Sequence, residues 1–144
     1  MAVFQRAQVD TLLRRLAEPP RFIIAVFGPR QTGKTTIVRQ ALRRLDRPSR
    51  YLAVDEPDTP GFRIPPTTAG TTLRRPQARD AEWLVAAWEE ARRVAVESPT
   101  GSVLVLDEIQ KIPNWSETVK GLWDADRAMD WALHVIVLGS SPLR

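Results

Sequence analysis

Apolar residues along the chain follow two alternating patterns: short continuous runs, and longer stretches in which apolar residues recur every three or four positions. Continuous runs are typical of strands buried on both faces, and the longer recurrence is typical of amphipathic helices. Strands are predicted at 22–27, 50–54, 103–106 and 134–138. Helices are predicted at 9–17, 34–45, 80–97 and from 114 onward. Because strands alternate with helices, we predict an α/β fold in which helices cover both faces of a parallel sheet.

Capping residues, prolines and glycines indicate where the later helices begin and where the chain is irregular. Asn114 followed by Glu117 resembles a capping box, so we expect the last helix to begin there. Three of its residues are expected to face inward: Val119, Leu122 and Met129. Prolines and glycines between positions 56 and 76 predict an irregular excursion before the helix at 80–97.

The loop after the first predicted strand matches the phosphate-binding pattern G-x-x-x-x-G-K-[ST], known as Walker A. Its glycines allow the backbone N–H groups to turn inward, and the following helix adds the positive end of its dipole. We expect the phosphates of a nucleotide to contact Gly28, Pro29, Arg30, Gln31, Thr32, Gly33, Lys34, Thr35 and Thr36. Lys34 is expected to reach the β- and γ-phosphates, and the Thr35 hydroxyl to coordinate Mg²⁺. A chance match is the alternative, but the position between a strand and a helix argues against it.

Two carboxylates, Asp107 and Glu108, follow the apolar strand at 103–106. The carboxyl edge of a parallel sheet is where ligands bind in open α/β folds. We expect Asp107 to hold Mg²⁺ there, as a Walker B aspartate, and Glu108 to orient and polarise the water that attacks the γ-phosphate. On the alternative interpretation, both carboxylates end a strand and face solvent. The phosphate-binding loop upstream favours the catalytic interpretation.

The same residues discriminate among classes of nucleotide-binding protein. GTPases usually have Asp-x-x-Gly at this position, whereas this chain has Asp-Glu-Ile-Gln, and no Asn-Lys-x-Asp guanine motif occurs. Small-molecule kinases seldom need a water-activating glutamate beside the metal-binding aspartate. The sequence therefore favours ATP as the nucleotide and Mg²⁺-dependent hydrolysis of its β–γ bond as the reaction. An ATP-binding module or switch without efficient turnover is the alternative.

Three motifs in order resemble one known family. They are GPRQTGKTT at 28–36, LDEIQKIPNW at 106–115 and VIVLGSS at 135–141. The chain resembles, over residues 21–144, the AAA-superfamily ATPases of the AAA_14 group, which carry a C-terminal DUF4143 domain. The resemblance implies a three-layer αβα P-loop NTPase fold of the additional-strand type. Residues 1–20 are then expected to form an N-terminal helical segment before the ATPase core.

In ATPases of the additional-strand type, a polar residue at the end of the fourth strand contacts the γ-phosphate and helps to place the water. Ser140 is the candidate for this role in catalysis, and Ser141 is the second. Serines in an ordinary turn are the alternative.

The resemblance also implies segments beyond Arg144: a helix, an arginine-bearing segment, a fifth strand and the C-terminal domain. We therefore expect the chain to be a truncated ATPase core that lacks the fifth strand. The first strand is then expected at an edge of the sheet. An arginine finger would have to come from another copy of the chain or from a partner.

Composition and charge limit the kinds of site, the cellular location and the partners that the chain is expected to have. The chain has 144 residues, a formal charge of +4 and no cysteine, which excludes disulfides and thiolate metal sites. No apolar run approaches the roughly 20 residues of a membrane span, so we expect a cytoplasmic protein without membrane contact. The arginines permit contact with DNA, although a solvated surface is the favoured interpretation. The single histidine, His134, and the five tryptophans are expected to pack rather than to catalyse.

Overall fold

A computed structural model describes residues 2–29, 33–55 and 80–140. Its helices are α1 (Ala2–Ala17), α2 (Lys34–Arg43), α3 (Ala81–Glu97) and α4 (Trp115–Met129). Its strands are β1 (Ile24–Gly28), β2 (Ser49–Ala53), β3 (Ser102–Asp107) and β4 (Leu133–Ser140), and a 3₁₀ turn over Ile109–Lys111 follows β3. Four predictions lie outside the described residues: those for the excursion at 56–76, for Arg30, Gln31 and Thr32 of the loop, for Ser141 and for the chain end.

The described strands form one parallel sheet in the order β1-β4-β3-β2. Their register aligns the carboxyl ends: Gly28 of β1 pairs with Ser140 of β4, and Ala53 of β2 pairs with Asp107 of β3. Side chains that follow these strand ends are therefore brought to one edge of the sheet.

Helices cover both faces of this sheet. On one face α3 and α4 pack against β3 and β4, with Trp88 and Leu84 completely buried between the layers. On the other face α1 and α2 pack together, and Leu16 and Val38 are equally buried there. The predicted three-layer αβα architecture of a P-loop NTPase is confirmed.

Strand β1 differs from its prediction. The apolar run from Phe22 was expected to be covered on both faces, but the strand begins at Ile24 and Phe22 is 76% exposed. Ala25 and Phe27 are also exposed, whereas Ile24 and Val26 are partly buried. The reason is position: β1 is an edge strand among the described strands, as expected from the resemblance, and pairs with β4 alone.

The predicted capping box at the start of α4 is wrong. The Asn114 side chain makes no capping hydrogen bond, because its backbone is left-handed (φ 58°, ψ 30°), a conformation that asparagine tolerates. The helix still begins at Trp115, with Val119 buried as predicted and Leu122 partly buried. Met129, by contrast, is 60% exposed, because α4 ends at this residue and the chain turns at Asp130.

None of the helices in the described ranges combines the length and the apolar character that a membrane-spanning segment requires.

Candidate active site

The described ends of the phosphate-binding loop are Gly28, Pro29 and Gly33. Gly28 ends β1, and Gly33 adopts a left-handed conformation (φ 87°) directly before α2. Glycine accepts this conformation without the steric cost of a Cβ atom. The first helical hydrogen bond runs from the Ile37 N–H group to the Gly33 carbonyl at 3.0 Å, so the N-terminus of α2 lies at the carboxyl edge of the sheet. Helix N-termini at such loops favour anions.

The Lys34 side chain folds back over this loop. Its Nζ donates hydrogen bonds to the carbonyl oxygens of Pro29 at 2.9 Å and Gly28 at 3.3 Å. The ammonium group therefore lies against the backbone at the start of the loop. Thr36, the last residue of the motif, is exposed.

Thr35 connects the loop to the acidic pair. Its hydroxyl donates a hydrogen bond to Asp107 Oδ2 at 3.2 Å, although the two residues are 72 positions apart in the sequence. Asp107 ends β3 and is only 9% exposed. The structure thus brings together the two residues predicted to bind the metal.

A second hydroxyl group also contacts the Asp107 carboxylate. Tyr51 of β2 also donates a hydrogen bond to Asp107 Oδ2, and the Arg39 guanidinium lies 4.0 Å from the centre of its ring. Burial and the neighbouring Asp107 carboxylate raise the pKa of the Tyr51 phenol above its ordinary value, so the phenol stays protonated and acts as a donor.

Glu108 lies beside the metal-binding pair in an uncommon backbone conformation. It is left-handed (φ 58°, ψ 42°), which places it at the start of the 3₁₀ turn. Its Oε2 accepts a hydrogen bond from the Ser140 hydroxyl at 2.9 Å, and its Oε1 accepts one from Gln110 Nε2 at 2.7 Å. Lys111 Nζ lies 4.0 Å from Oε1. The structure therefore joins Glu108 and Ser140, the two residues predicted to place and activate water.

The match to known families agrees with this arrangement. The AAA_14 family model, described as an AAA domain, matches residues 20–144. The chain belongs to the AAA_14 family. It is an ATPase-like nucleotide-binding domain of the AAA type. No curated protein matches the chain significantly.

The donor set of this AAA_14 domain suits Mg²⁺. Hydroxyl and carboxylate oxygens are the ligands that this ion prefers, and it is usually held by one or two protein groups together with substrate phosphates. Within the described ranges, no group of three or more His, Cys, Asp or Glu side chains could hold a metal alone. A site that needs the phosphates of a nucleotide to complete its ligands fits Thr35 and Asp107.

A cavity of about 360 Å³ lies near the amino-terminal ends of β1 and β4, whereas the residues above lie at the carboxyl ends of the strands. It is lined by residues of the α1–β1 connection, such as Arg15 and Phe22, and by His134 at the start of β4. His134 is buried, and its Nε2–H group donates to the Glu18 carbonyl at 2.7 Å. Burial, with positive charge on Arg47 and Arg127, lowers the pKa of His134. No predicted site residue lines this cavity.

Two residues of the AAA_14 site were missed by reasoning from the sequence: Tyr51 and Gln110. Tyr51 belongs to a strand whose spatial neighbour is β3, and only the strand order places its hydroxyl beside Asp107. Gln110 lies two residues after Glu108, where a polar side chain could have been read as a partner for the glutamate.

Proposed function

We propose that the chain binds Mg-ATP at the carboxyl edge of its sheet and hydrolyses the bond between the β- and γ-phosphates. The observation that carries this proposal is the hydrogen bond between Thr35 and Asp107, because it unites the phosphate-binding loop with the acidic end of β3. Membership of the AAA_14 family supports the same activity.

The proposed roles of the binding residues follow from their positions. The loop from Gly28 to Thr36 holds the phosphates through backbone N–H groups, and Lys34 turns from the loop carbonyls to the β- and γ-phosphate oxygens. Thr35 and Asp107 hold Mg²⁺, which neutralises charge on those oxygens when it is bound.

The proposed reaction needs a base and a residue that orients the water. A water molecule attacks the γ-phosphorus, its proton passes to the Glu108 carboxylate, and the bond between the γ-phosphorus and the bridging oxygen breaks. Ser140 supports this step because its hydroxyl holds one oxygen of the Glu108 carboxylate, and it lies at the strand end that faces the loop.

Two substitutions test the activity. Lys34→Ala is expected to abolish Mg-ATP binding. Glu108→Gln should keep binding but slow phosphate release by about 10²- to 10⁴-fold, the range for loss of a general base. The matched controls are Lys120→Ala and Glu117→Gln, both exposed on α4. If Lys34→Ala and Glu108→Gln release phosphate at the wild-type rate, the proposal is wrong.

A second candidate function is an ATP-binding switch with slow turnover. Both oxygens of the Glu108 carboxylate already accept hydrogen bonds, from Gln110 and from Ser140, so part of its capacity to accept a hydrogen bond from an attacking water is already used. An arginine finger from another copy or from a partner would then restore the rate, by about 10³- to 10⁵-fold in P-loop systems. Rapid phosphate release by the monomer at high dilution would reject this candidate.

Three further proposals concern the N-terminal segment, the location of the protein and contact with DNA. Residues 1–20 would form a segment added to an ATPase core at 21–144, and the protein would reside in the cytoplasm. Contact with DNA would use the arginines near α2, although Arg44 pairs with Asp10 at 3.4 Å and Arg39 lies over Tyr51. Binding to duplex DNA that weakens steeply between 50 and 200 mM salt, as counterion release requires, would support this contact.

A further inference from the structure

We propose that Tyr51 is a positioning residue for the Asp107 carboxylate and thereby sets the affinity of the site for Mg²⁺. The inference rests on the proposed function, because it takes Asp107 as a residue that holds the metal. It adds a hydroxyl group that lies outside the Walker A and Walker B sequences.

Strand register explains how Tyr51 reaches Asp107. Strand β2 lies beside β3 in parallel, with Tyr51 paired with Val105 and Ala53 paired with Asp107. The Tyr51 ring is long enough to extend two positions along the sheet, so its hydroxyl meets the carboxylate at the strand end. A shorter side chain at this position could not span that distance.

The hydrogen bonds on Asp107 are unevenly divided between its two oxygens. Oδ2 accepts from both Tyr51 and Thr35, whereas Oδ1 accepts no hydrogen bond within the described part of the chain. Two donors on one oxygen fix the rotation of the carboxylate. The other oxygen is then available to the metal ion or to a water in its coordination shell.

Tyr51 is itself held in place. Its ring packs against the core between the sheet and α2, and the Arg39 guanidinium covers it at 4.0 Å. Such a contact between a cation and an aromatic ring restrains the ring from one side. The hydroxyl is therefore presented to Asp107 by two elements, β2 and α2. If the ring served only to fill the core, phenylalanine would serve equally well.

Tyr51→Phe separates these roles because it removes only the hydroxyl. Binding of a fluorescent ATP analogue would be titrated with Mg²⁺, and repeated with EDTA to obtain the metal-free affinity. Loss of a group that orients a metal ligand usually weakens the metal by about 10- to 100-fold. We expect the half-saturating Mg²⁺ concentration to rise by about 10-fold or more, with the metal-free affinity unchanged. Thr118→Val, a hydroxyl deletion on α4, is the matched control.

A second measurement tests whether Tyr51 acts through Asp107. In an Asp107→Asn background, Tyr51→Phe should change the Mg²⁺ dependence no further, because the carboxylate to be oriented is gone. This comparison also covers a Tyr51→Phe variant that is less stable, since an unfolding effect would persist in both backgrounds.

The outcomes separate this inference from the function on which it rests. A wild-type chain whose nucleotide binding ignores Mg²⁺ would refute the proposed function itself. A wild-type chain that responds to Mg²⁺, with Tyr51→Phe responding identically, would overturn the inference alone. An equal loss of metal-free and Mg²⁺-dependent binding in Tyr51→Phe would also overturn it, because it would assign the hydroxyl a merely structural role.

Discussion

At the scale of single residues, Glu108 is a site residue other than glycine with a left-handed backbone (φ 58°). A left-handed conformation costs a non-glycine residue of order 1–3 kcal/mol, so it persists only where its surroundings compensate. Here the compensation is visible in the two hydrogen bonds that its carboxylate accepts, from Gln110 and from Ser140. The backbone conformation and the two donors together aim the carboxylate towards the edge of the sheet.

Gln110→Ala tests this arrangement. It removes the donor to Glu108 Oε1 and leaves the binding residues untouched. A hydrogen bond to a charged group contributes about 1.5–3 kcal/mol, so we expect kcat to fall by about 10-fold or more. The dissociation constant of Mg-ATP should stay within about twofold, since Gln110 has no proposed contact with the nucleotide. Equal losses in binding and in turnover would show that Gln110 supports the fold rather than Glu108.

His134 gives a prediction for pH. Because burial lowers its pKa, the unfolded state binds more protons than the folded state as pH falls below about 6.5, the ordinary value for histidine. The free energy of unfolding should therefore decrease on acidification from pH 7.5 to 5.5, by up to about 1.4 kcal/mol per pH unit from this group.

Urea unfolding of the wild type and of His134→Gln at several pH values measures this contribution. The variant should lose the part of the pH dependence that lies near pH 6, and no other histidine obscures it because the chain has one. Identical pH slopes for the two proteins would contradict the assignment.

At the scale of elements, the local sequence pattern predicts whether a segment is a helix or a strand better than it predicts how far that segment is buried. All six positions of β3 are buried, as its continuous apolar run indicates. The same kind of run gave the wrong expectation for β1, because strand order decides which strand lies at an edge and no local pattern encodes that order. The motifs likewise identify Lys34, Thr35 and the acidic pair, whereas the contribution of Tyr51 depends on which strand lies beside β3.

A buried polar contact joins helices α3 and α4. Asp126 of α4 is completely buried, and its carboxylate accepts hydrogen bonds from Trp88 Nε1 at 2.9 Å and from Arg92 Nε at 2.5 Å. Arg92 also donates to the Leu122 carbonyl at 2.8 Å. The two helices are thus held together by one carboxylate as well as by their apolar residues.

Asp126→Asn should destabilise this pair of helices. It leaves the Arg92 guanidinium partly buried without its counter-charge, for which losses of about 3–5 kcal/mol are typical. The matched control is Asp124→Asn, whose carboxylate pairs with Lys120 on the exposed side of α4 and should cost at most about 1 kcal/mol. Urea unfolding compares the two variants, and similar losses would argue against a structural role for the buried contact.

At the scale of the whole molecule, the site exists only when the sheet is assembled. Its residues come from the loop after β1, from the first turn of α2, from β2, from the end of β3 and from the end of β4. The α1 helix, by contrast, contributes no site residue: it packs on α2 through apolar side chains, among which Leu16 is completely buried. Nucleotide binding should therefore be linked to global folding but be independent of the packing of α1.

Leu16→Ala separates the stability that the packing of α1 contributes from the stability that nucleotide binding contributes. A buried leucine replaced by alanine costs about 2–5 kcal/mol, whereas Val96→Ala, at a 62% exposed position, should cost within about 0.5 kcal/mol. A ligand that binds only the folded state adds about 2.7 kcal/mol at 100 times its dissociation constant. We expect Mg-ATP to give this same increment to the wild type and to Leu16→Ala, and none to Lys34→Ala, in urea unfolding followed by tryptophan fluorescence. A smaller increment in Leu16→Ala would mean that α1 and the nucleotide site are energetically coupled through α2, since distant sites that share no partner contribute additively.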